Sequence, residues 1–132
     1  MVRRRRETPA RLLTELELAL MTVLWRRGTA TVSEMKRDLE AERKLAHTTV
    51  ATMLKVLEGK GAAVATKEGR GLVYTAALAK ADYETRALDH VVERVFDESP
   101  LALVRRLLGE GKLGPTELTE LRRLLDDDGE KK

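Results

Sequence analysis

Residues 47–60 read HTTVATMLKVLEGK and show the clearest helical periodicity in the chain. Two glycines, Gly59 and Gly61, lie where this pattern ends, and glycine commonly terminates a helix. The stretch therefore predicts an amphipathic helix with one buried face. The apolar residues of that face recur at the spacing i, i+3, i+4 and i+7 and are Val50, Met53, Leu54 and Leu57.

The opposite face of this predicted helix carries short side chains until Lys55. No acidic residue occurs between Glu42 and Glu58, so the positive end of the helix dipole is not cancelled locally and can face a phosphate. Threonine adds a hydroxyl for phosphates or bases and a methyl group for thymine. These features favour DNA contact over an ordinary exposed helix face. For His47 the alternative is a histidine beside the helix cap that makes no contact with DNA. The candidate DNA-binding residues are His47, Thr48, Thr49, Ala51, Thr52 and Lys55.

Two helices are predicted ahead of this segment. Thr14 with Glu17 three residues later has the spacing of a capping box, and Gly28 ends the helix that follows. A short β-prone run covers residues 29–32, after which Ser33 is predicted to cap a second helix from Glu34 to about Glu42. Trp25 is interpreted as a core residue.

A β-hairpin is predicted after the helix at 47–60. Two β-prone runs, 63–67 and 72–76, flank the glycine-rich tip Glu68-Gly69-Arg70-Gly71, and Tyr74 is interpreted as core. Arg70 at this tip and Lys67 beside it are candidate DNA-binding residues, with solvated turn charges as the alternative. The order helix, strand, helix, turn, helix, hairpin is typical of a winged helix-turn-helix.

The rest of the chain is predicted to be helical, with breaks at residues 97–100 and at the glycines of residues 109–114. The apolar faces of these three short helices exceed what one small arm can bury, which favours self-association over packing back on the first half. The fold class is thus mainly α with a small β-wing: a basic flexible arm at 1–12, a winged-helix domain at 13–78, a helical dimerisation domain at 79–128 and a tail at 129–132. The candidate dimerisation residues are Tyr83, Ala87, Val91, Val95, Leu101, Val104, Leu108, Leu118, Leu121 and Leu125.

Charge is distributed unevenly along the 132 residues. Residues 1–71 hold 15 Lys and Arg against 9 Asp and Glu, whereas residues 72–132 hold 10 against 13. A basic first half suggests a polyanionic partner. The run Arg3-Arg4-Arg5-Arg6 adds candidate DNA-binding residues that would contribute salt-dependent affinity without reading sequence.

Several other classes of protein are disfavoured. The chain has no cysteine and only two histidines, His47 and His90, which argues against disulfides and a structural zinc site. No catalytic constellation appears, so we expect no enzyme activity, metal or cofactor. The most apolar stretch, Leu18 to Trp25, is much shorter than a membrane-spanning helix, so we expect a cytoplasmic protein without direct membrane association.

Short motifs with a family resemblance are spread in order along the chain. They are LTELE at 13–17 with VLW at 23–25, TTVATML at 48–54 with Leu57 and KG at 60–61, EGR at 68–70 with VY at 73–74, DY at 82–83 and LTEL at 118–121. Their order and spacing resemble the BlaI/MecI/CopY family of bacterial repressors. The resemblance covers nearly the whole chain beyond the arginine arm.

The resemblance implies a homodimeric winged-helix repressor that binds a palindromic, double-stranded operator and carries its dimerisation surface on the C-terminal helices. In the penicillinase-repressor branch, a membrane-bound sensor metalloprotease responds to β-lactam, and cleavage of the C-terminal arm releases the DNA. The family's cleaved Asn-Phe bond corresponds by position to Arg106-Leu107, which departs from that pattern. The cysteine-rich metal site of the copper-responsive branch is excluded here. A winged-helix adaptor that binds protein and not DNA is the alternative function.

Overall fold

The computed structural model describes residues 12–131, and this part of the chain divides into two compact units after Ala87. The predicted arginine arm, Arg3 to Arg6, lies outside the described residues, as does Lys132. The elements, in chain order, are α1 (Glu15–Arg27), β1 (Thr29–Ala30), α2 (Val32–Leu39), α3 (His47–Gly59), β2 (Ala63–Glu68), β3 (Gly71–Ala76), α4 (Lys80–Arg94), α5 (Pro100–Gly109) and α6 (Pro115–Lys131).

The first helix begins and ends where its local sequence predicts. The Thr14 hydroxyl accepts a hydrogen bond from the Glu17 backbone N–H at 3.2 Å, and the Thr14 N–H donates to the Glu17 carboxylate at 2.9 Å. This reciprocal capping box satisfies two of the N–H groups that a helix start leaves unpaired. At the other end, Gly28 has a φ of 89°, a conformation that glycine adopts without steric cost.

The second helix starts earlier than predicted, so the assignment of Ser33 as its cap was wrong. Thr31 is the cap: its hydroxyl accepts from the Glu34 N–H at 3.1 Å, and its own N–H donates to the Glu34 carboxylate at 2.9 Å. Thr31 has a glutamate three residues later, whereas Ser33 has Lys36 there and lacks a reciprocal acceptor. The helix also ends at Leu39, short of the predicted Glu42.

The three strands form an antiparallel sheet in the order β1-β3-β2. In the hairpin, Ala65 lies opposite Tyr74 and Glu68 opposite Gly71, which leaves Gly69 and Arg70 as a two-residue loop. Gly69 has a φ of 61°, as expected for the first loop residue of a type II′ turn. The winged helix-turn-helix predicted from the element order is therefore confirmed.

The core of the first unit lies between α1, α2, α3 and the sheet. Trp25 is anchored there because its indole N–H donates to the Leu78 carbonyl at 2.9 Å, and Tyr74 is buried. Burial, together with the negative charge of Glu58, raises the pKa of the Tyr74 hydroxyl. The buried apolar residues are Leu20, Met21, Val23, Leu24, Ala30, Met35, Leu39, Val50, Leu54, Leu57, Ala62, Ala63 and Tyr74.

Tyr83 lies in this first unit, although it was predicted to be one of the dimerisation residues. Its ring centroid lies 6.0 Å from that of Trp25, and its hydroxyl accepts from the Leu13 N–H at 3.1 Å. These contacts bury Tyr83 and carry the first unit beyond the boundary predicted at 78/79. We therefore leave Tyr83 out of the proposed dimer surface.

The second unit contains the end of α4 together with α5 and α6. Ser99 caps α5 by accepting from the Ala102 N–H at 3.0 Å, and Pro100 occupies the first turn as predicted. No side chain between residues 88 and 128 is fully buried. Large apolar side chains that stay exposed are Leu88, Val95, Leu101, Leu108, Leu124 and Leu125. Within residues 12–131, no helix combines the length and the apolar character needed to cross a membrane.

Candidate nucleic-acid interface

The third helix presents its predicted outer face to solvent. Val50, Leu54 and Leu57 are completely buried and fix the rotation of α3 about its axis. The structure therefore brings the candidate DNA-binding residues of this helix together on one accessible surface. His47, Thr48, Thr49, Thr52 and Lys55 are exposed, and Ala51 is half-buried.

The N-terminus of α3 differs from those of α1 and α2. Thr14 and Thr31 cap the two earlier helices and are followed by first-turn acids. Ala46 at the start of α3 offers no side-chain acceptor, and the first turn has no acidic residue. The first N–H groups and the positive end of the helix dipole are thus available to an anion.

The hairpin tip supplies the second part of the interface. Lys67 lies opposite Leu72 near the end of β2, and Arg70 occupies the second position of the two-residue loop. Both side chains are exposed. A hairpin tip of this kind projects from the sheet, so its cations can reach a phosphate or a minor groove.

The cations of this interface are not neutralised by neighbouring acids in the part of the first unit that the structure describes. There, ion pairs join Arg26 and Arg27 to acids of α2 and join Lys60 to Glu17. None of these pairs involves Lys55, Lys67 or Arg70. Their positive charges therefore stay available to a polyanion.

One ion pair ties α1 to α2. The Arg27 guanidinium contacts both Asp38 carboxylate oxygens, at 2.7 Å and 3.0 Å. This hydrogen bond lowers the pKa of Asp38 and outweighs the opposing effect of desolvation. The bidentate geometry orients α2 against the end of α1.

A second ion pair holds the C-terminal end of α3. The Lys60 ammonium lies 2.6 Å from the carboxylate of Glu17, which is only 2% exposed. Burial alone would raise the pKa of Glu17, but the hydrogen bonds from Lys60 and the Thr14 backbone outweigh it, so this pKa is lowered. This contact was not predicted from the sequence, although Glu17 occupies the first position of the buried row Leu20, Met21 and Leu24.

Two further cations near α3 were also missed. Arg43 and Lys44 lie in the turn before the helix and were interpreted only as polar turn residues. The sequence pattern could have identified these two cations, since they belong to the acid-free stretch between Glu42 and Glu58. Within residues 12–131, no three acidic or histidine side chains are placed to hold a metal ion.

The family of the chain is evident from its similarity to known proteins. A model of the penicillinase repressor family matches residues 13–127. The chain belongs to the penicillinase repressor family. This confirms the resemblance to BlaI/MecI/CopY repressors, and the family is one of DNA-binding transcriptional regulators rather than enzymes.

Individual relatives match most of this chain or its first half. A penicillinase repressor from Bacillus licheniformis is 28% identical over 115 residues, which is 87% of this chain and 90% of the relative. The solved Bacillus licheniformis BlaI monomeric form in complex with the blaP half-operator is 32% identical, covers 56% of this chain and 90% of its own, and has a TM-score of 0.48. The hsRosR-S4 complex is 18% identical, covers 92% of this chain and 94% of its own, and has a TM-score of 0.56. This similarity concerns only the fold.

The Arg106–Leu107 bond, which the resemblance gave as the candidate cleavage position, lies inside α5. The Arg106 carbonyl accepts from the Glu110 N–H at 3.0 Å, and the Leu107 carbonyl accepts from the Lys112 N–H at 3.1 Å. Arg106 is exposed and Leu107 is half-buried. A protease that needs an extended substrate must therefore unwind the second half of α5 before it reaches this bond.

Proposed function

We propose that this protein represses transcription by binding a palindromic operator sequence-specifically as a homodimer. The observation that carries the proposal is the outer face of α3, which is exposed, has no acidic residue before Glu58 and is uncapped at its N-terminus. A helix with short side chains approaches the edges of base pairs closely in a major groove. Membership of the penicillinase repressor family supports the same conclusion.

The candidate residues divide by the part of DNA that their chemistry suits. Thr48, Ala51 and Thr52 would face base edges, because a hydroxyl or a methyl group on the outer helix face distinguishes bases. The phosphate backbone would take the remaining candidates, which contribute affinity more than sequence discrimination. They are His47, Thr49, Lys55, Lys67, Arg70 and the arm residues Arg3, Arg4, Arg5 and Arg6.

Dimerisation would be the task of the second unit. Its exposed apolar residues Val95, Leu101 and Leu125 are 64%, 57% and 64% exposed, a costly arrangement for a free monomer in water. A second copy of the same surface would bury them. Joining two winged helices raises the affinity for a two-part operator by about 10² to 10⁴, because the second contact becomes intramolecular. The proposed surface comprises Ala87, the last residue of the first unit, and the second-unit residues Val91, Val95, Leu101, Val104, Leu108, Leu118, Leu121 and Leu125.

Release from the operator would follow from loss of this surface. Cleavage between Arg106 and Leu107 by a membrane-bound sensor metalloprotease, in response to a β-lactam or another envelope signal, would detach α6 and the end of α5. Co-expression with such a protease, followed by intact-mass measurement, should yield a fragment that ends at Arg106. An intact chain under conditions that relieve repression would rule out this route.

Replacement of Thr52 by alanine tests whether α3 reads bases. The variant should bind the protein's own promoter DNA about tenfold more weakly, while its affinity for random DNA changes less than about twofold. Titration of both DNAs by fluorescence anisotropy measures the difference.

Thr22→Ala is the matched control. Thr22 is also an exposed helical threonine, but it lies on α1 and donates its hydroxyl to the Leu18 carbonyl at 2.8 Å. This variant should leave both affinities unchanged. Equal weakening of promoter and random DNA by Thr52→Ala would contradict a base-edge contact.

A further inference from the structure

A cavity of about 490 Å³ lies in the first unit, beside the C-terminal end of α3. Leu12 and Leu13 precede α1, Gly61 and Ala62 follow α3, Ala77 and Leu78 follow β3, and Asp82, Tyr83 and Arg86 belong to α4. Its volume falls in the range of small-molecule sites. The DNA-contacting face that we propose does not use it.

Hydrogen bonds between segments distant in sequence hold the walls of this cavity. The Leu13 N–H donates to the Tyr83 hydroxyl at 3.1 Å. The Ala62 carbonyl accepts from the backbone N–H groups of Ala77 and Leu78, at 2.8 Å and 3.1 Å. A cavity whose walls are fixed in this way is largely formed before a ligand arrives, so binding costs little ordering.

The chemistry of the lining selects for an anion with an apolar body. Leucine, alanine and tyrosine side chains provide the apolar surface, and the charged lining residues are Lys60, which is paired with Glu17, together with Arg86 and Asp82. Neither Asp82 nor Arg86 forms an ion pair in the part of the chain that the structure describes. Lys60 is 42% exposed at its side chain and has donors left beyond its bond to Glu17.

The chain's own N-terminal arm is a poor match for this lining. Residues 1–11 contain five arginines and one glutamate, so Arg86 would repel them. A second copy of the apolar C-terminal surface would offer Arg86 no partner. Charge complementarity therefore favours a small anion as the occupant.

We propose that this cavity binds a small carboxylate with an apolar body and that its occupancy weakens DNA binding. The carboxylate would contact Arg86 and Lys60, and the apolar body would pack on Leu13, Leu78 and Tyr83. An anion that binds the remaining donors of Lys60 would draw the ammonium away from Glu17, which holds the end of α3, and would loosen the helix proposed to contact DNA. The regulatory part of this inference rests on the proposed function, whereas the binding part does not.

Site-resolved NMR on the full chain tests the binding part, with 4-phenylbutyrate as the probe and 4-phenylbutylamine as its cationic counterpart. The carboxylate should produce saturable shifts in the backbone amides of Leu13, Gly61, Ala62 and Leu78. The amine should bind at least about tenfold more weakly, because it places a positive charge beside two cations.

Two variants and their matched controls make this test specific. Ala77→Phe fills the cavity from an exposed position and should abolish the shifts, whereas Ala79→Phe, outside the lining, should retain them. Arg86→Ala should weaken the carboxylate about tenfold, whereas Arg94→Ala on the same helix should not. Shifts confined to residues 88–128, equal binding of acid and amine, or wild-type binding by Ala77→Phe would each overturn the site.

Removal of residues 1–9 tests whether the N-terminal arm occupies the cavity. If only the shortened chain binds 4-phenylbutyrate, the arm fills the cavity and the proposal is wrong.

The regulatory part is measured separately: saturating carboxylate should weaken promoter binding at least about threefold in wild-type and not in Ala77→Phe. An unchanged DNA affinity with the carboxylate bound would overturn the coupling alone. Absence of any promoter binding would instead contradict the proposed function and leave the NMR result standing.

Discussion

Glu17 links the first helix to the C-terminal end of α3. It closes the capping box of α1 through the Thr14 N–H and accepts from Lys60 at the end of α3. The first role is local, so the spacing of Thr14 and Glu17 predicts it. The second joins residues 43 positions apart, and no local pattern encodes a contact of that range.

Replacement of Glu17 by glutamine should destabilise the protein by about 1–2 kcal/mol near pH 7, because a charged hydrogen bond with one partly exposed partner is lost. The folded-state pKa of Glu17 lies below its ordinary value of 4.5. Its carboxylate therefore stabilises the fold fully well above that value and loses this effect as pH falls through the lowered pKa. The difference between wild-type and variant should shrink on acidification, as measured by urea unfolding at about pH 7 and about pH 4.

Glu15→Gln provides the control, since Glu15 lies in the same first turn but is exposed. It should change stability by less than about 0.5 kcal/mol at both pH values. A Glu17→Gln effect that stays constant with pH would exclude the ionised carboxylate as its source.

At the scale of elements, the helices and the hairpin were predictable because their signals are local. The apolar spacing of α3 and the glycine-rich tip of the wing suffice to place both elements. The start of α2 was predicted wrongly because Thr31 and Ser33 are both good cap residues, and only the reciprocal bond with Glu34 distinguishes them. Exposure of the outer α3 face follows from the burial of Val50, Leu54 and Leu57, as the periodicity predicts.

The wing should contribute through a phosphate contact of Arg70. Replacement of Arg70 by alanine should weaken binding to all DNA sequences similarly and make the slope of log K against log salt less steep by about one. The physical reason is that one fewer counterion is released on binding. The slope is measured by anisotropy titrations at several salt concentrations.

Arg105→Ala tests whether any lost cation has this effect. Arg105 is exposed on α5 in the second unit, which contains none of the proposed DNA-contacting residues. Its removal should leave the salt slope nearly unchanged. An unaltered slope in Arg70→Ala would remove this residue from the phosphate contacts.

At the scale of the whole molecule, the sequence predicts two parts that meet at 78/79, whereas the first compact unit of the structure extends to Ala87. Tyr83 fits the helical row of α4, yet its contacts with Trp25 and Leu13 assign it to the first unit. Those partners lie far away in sequence, so periodicity alone could not distinguish a core contact from a dimer contact. The exposed apolar rows of the second unit remain the basis for a proposed second copy.

Leu101→Lys should convert the proposed dimer to a monomer. Leu101 is 57% exposed, so the substitution spares the packing within one chain but buries a charge between two. Affinity for promoter DNA should fall by at least about a hundredfold, because the two winged helices are no longer linked. Analytical ultracentrifugation gives the oligomeric state of the same samples.

Val64→Lys introduces the same charge at an exposed apolar site of the wing, where Val64 is 48% exposed. This control should stay dimeric. A Leu101→Lys variant that also stays dimeric would locate the interface elsewhere.

The central claim is sequence-specific DNA binding, and the most direct test is the affinity of the purified protein for its own upstream promoter DNA. The comparison is a scrambled duplex of equal composition, measured across a salt series. We predict a preference for the promoter of at least about a thousandfold, with affinities that fall steeply as salt rises. Equal binding to both duplexes would contradict sequence-specific repression. No binding at low salt would favour a winged-helix adaptor that contacts protein.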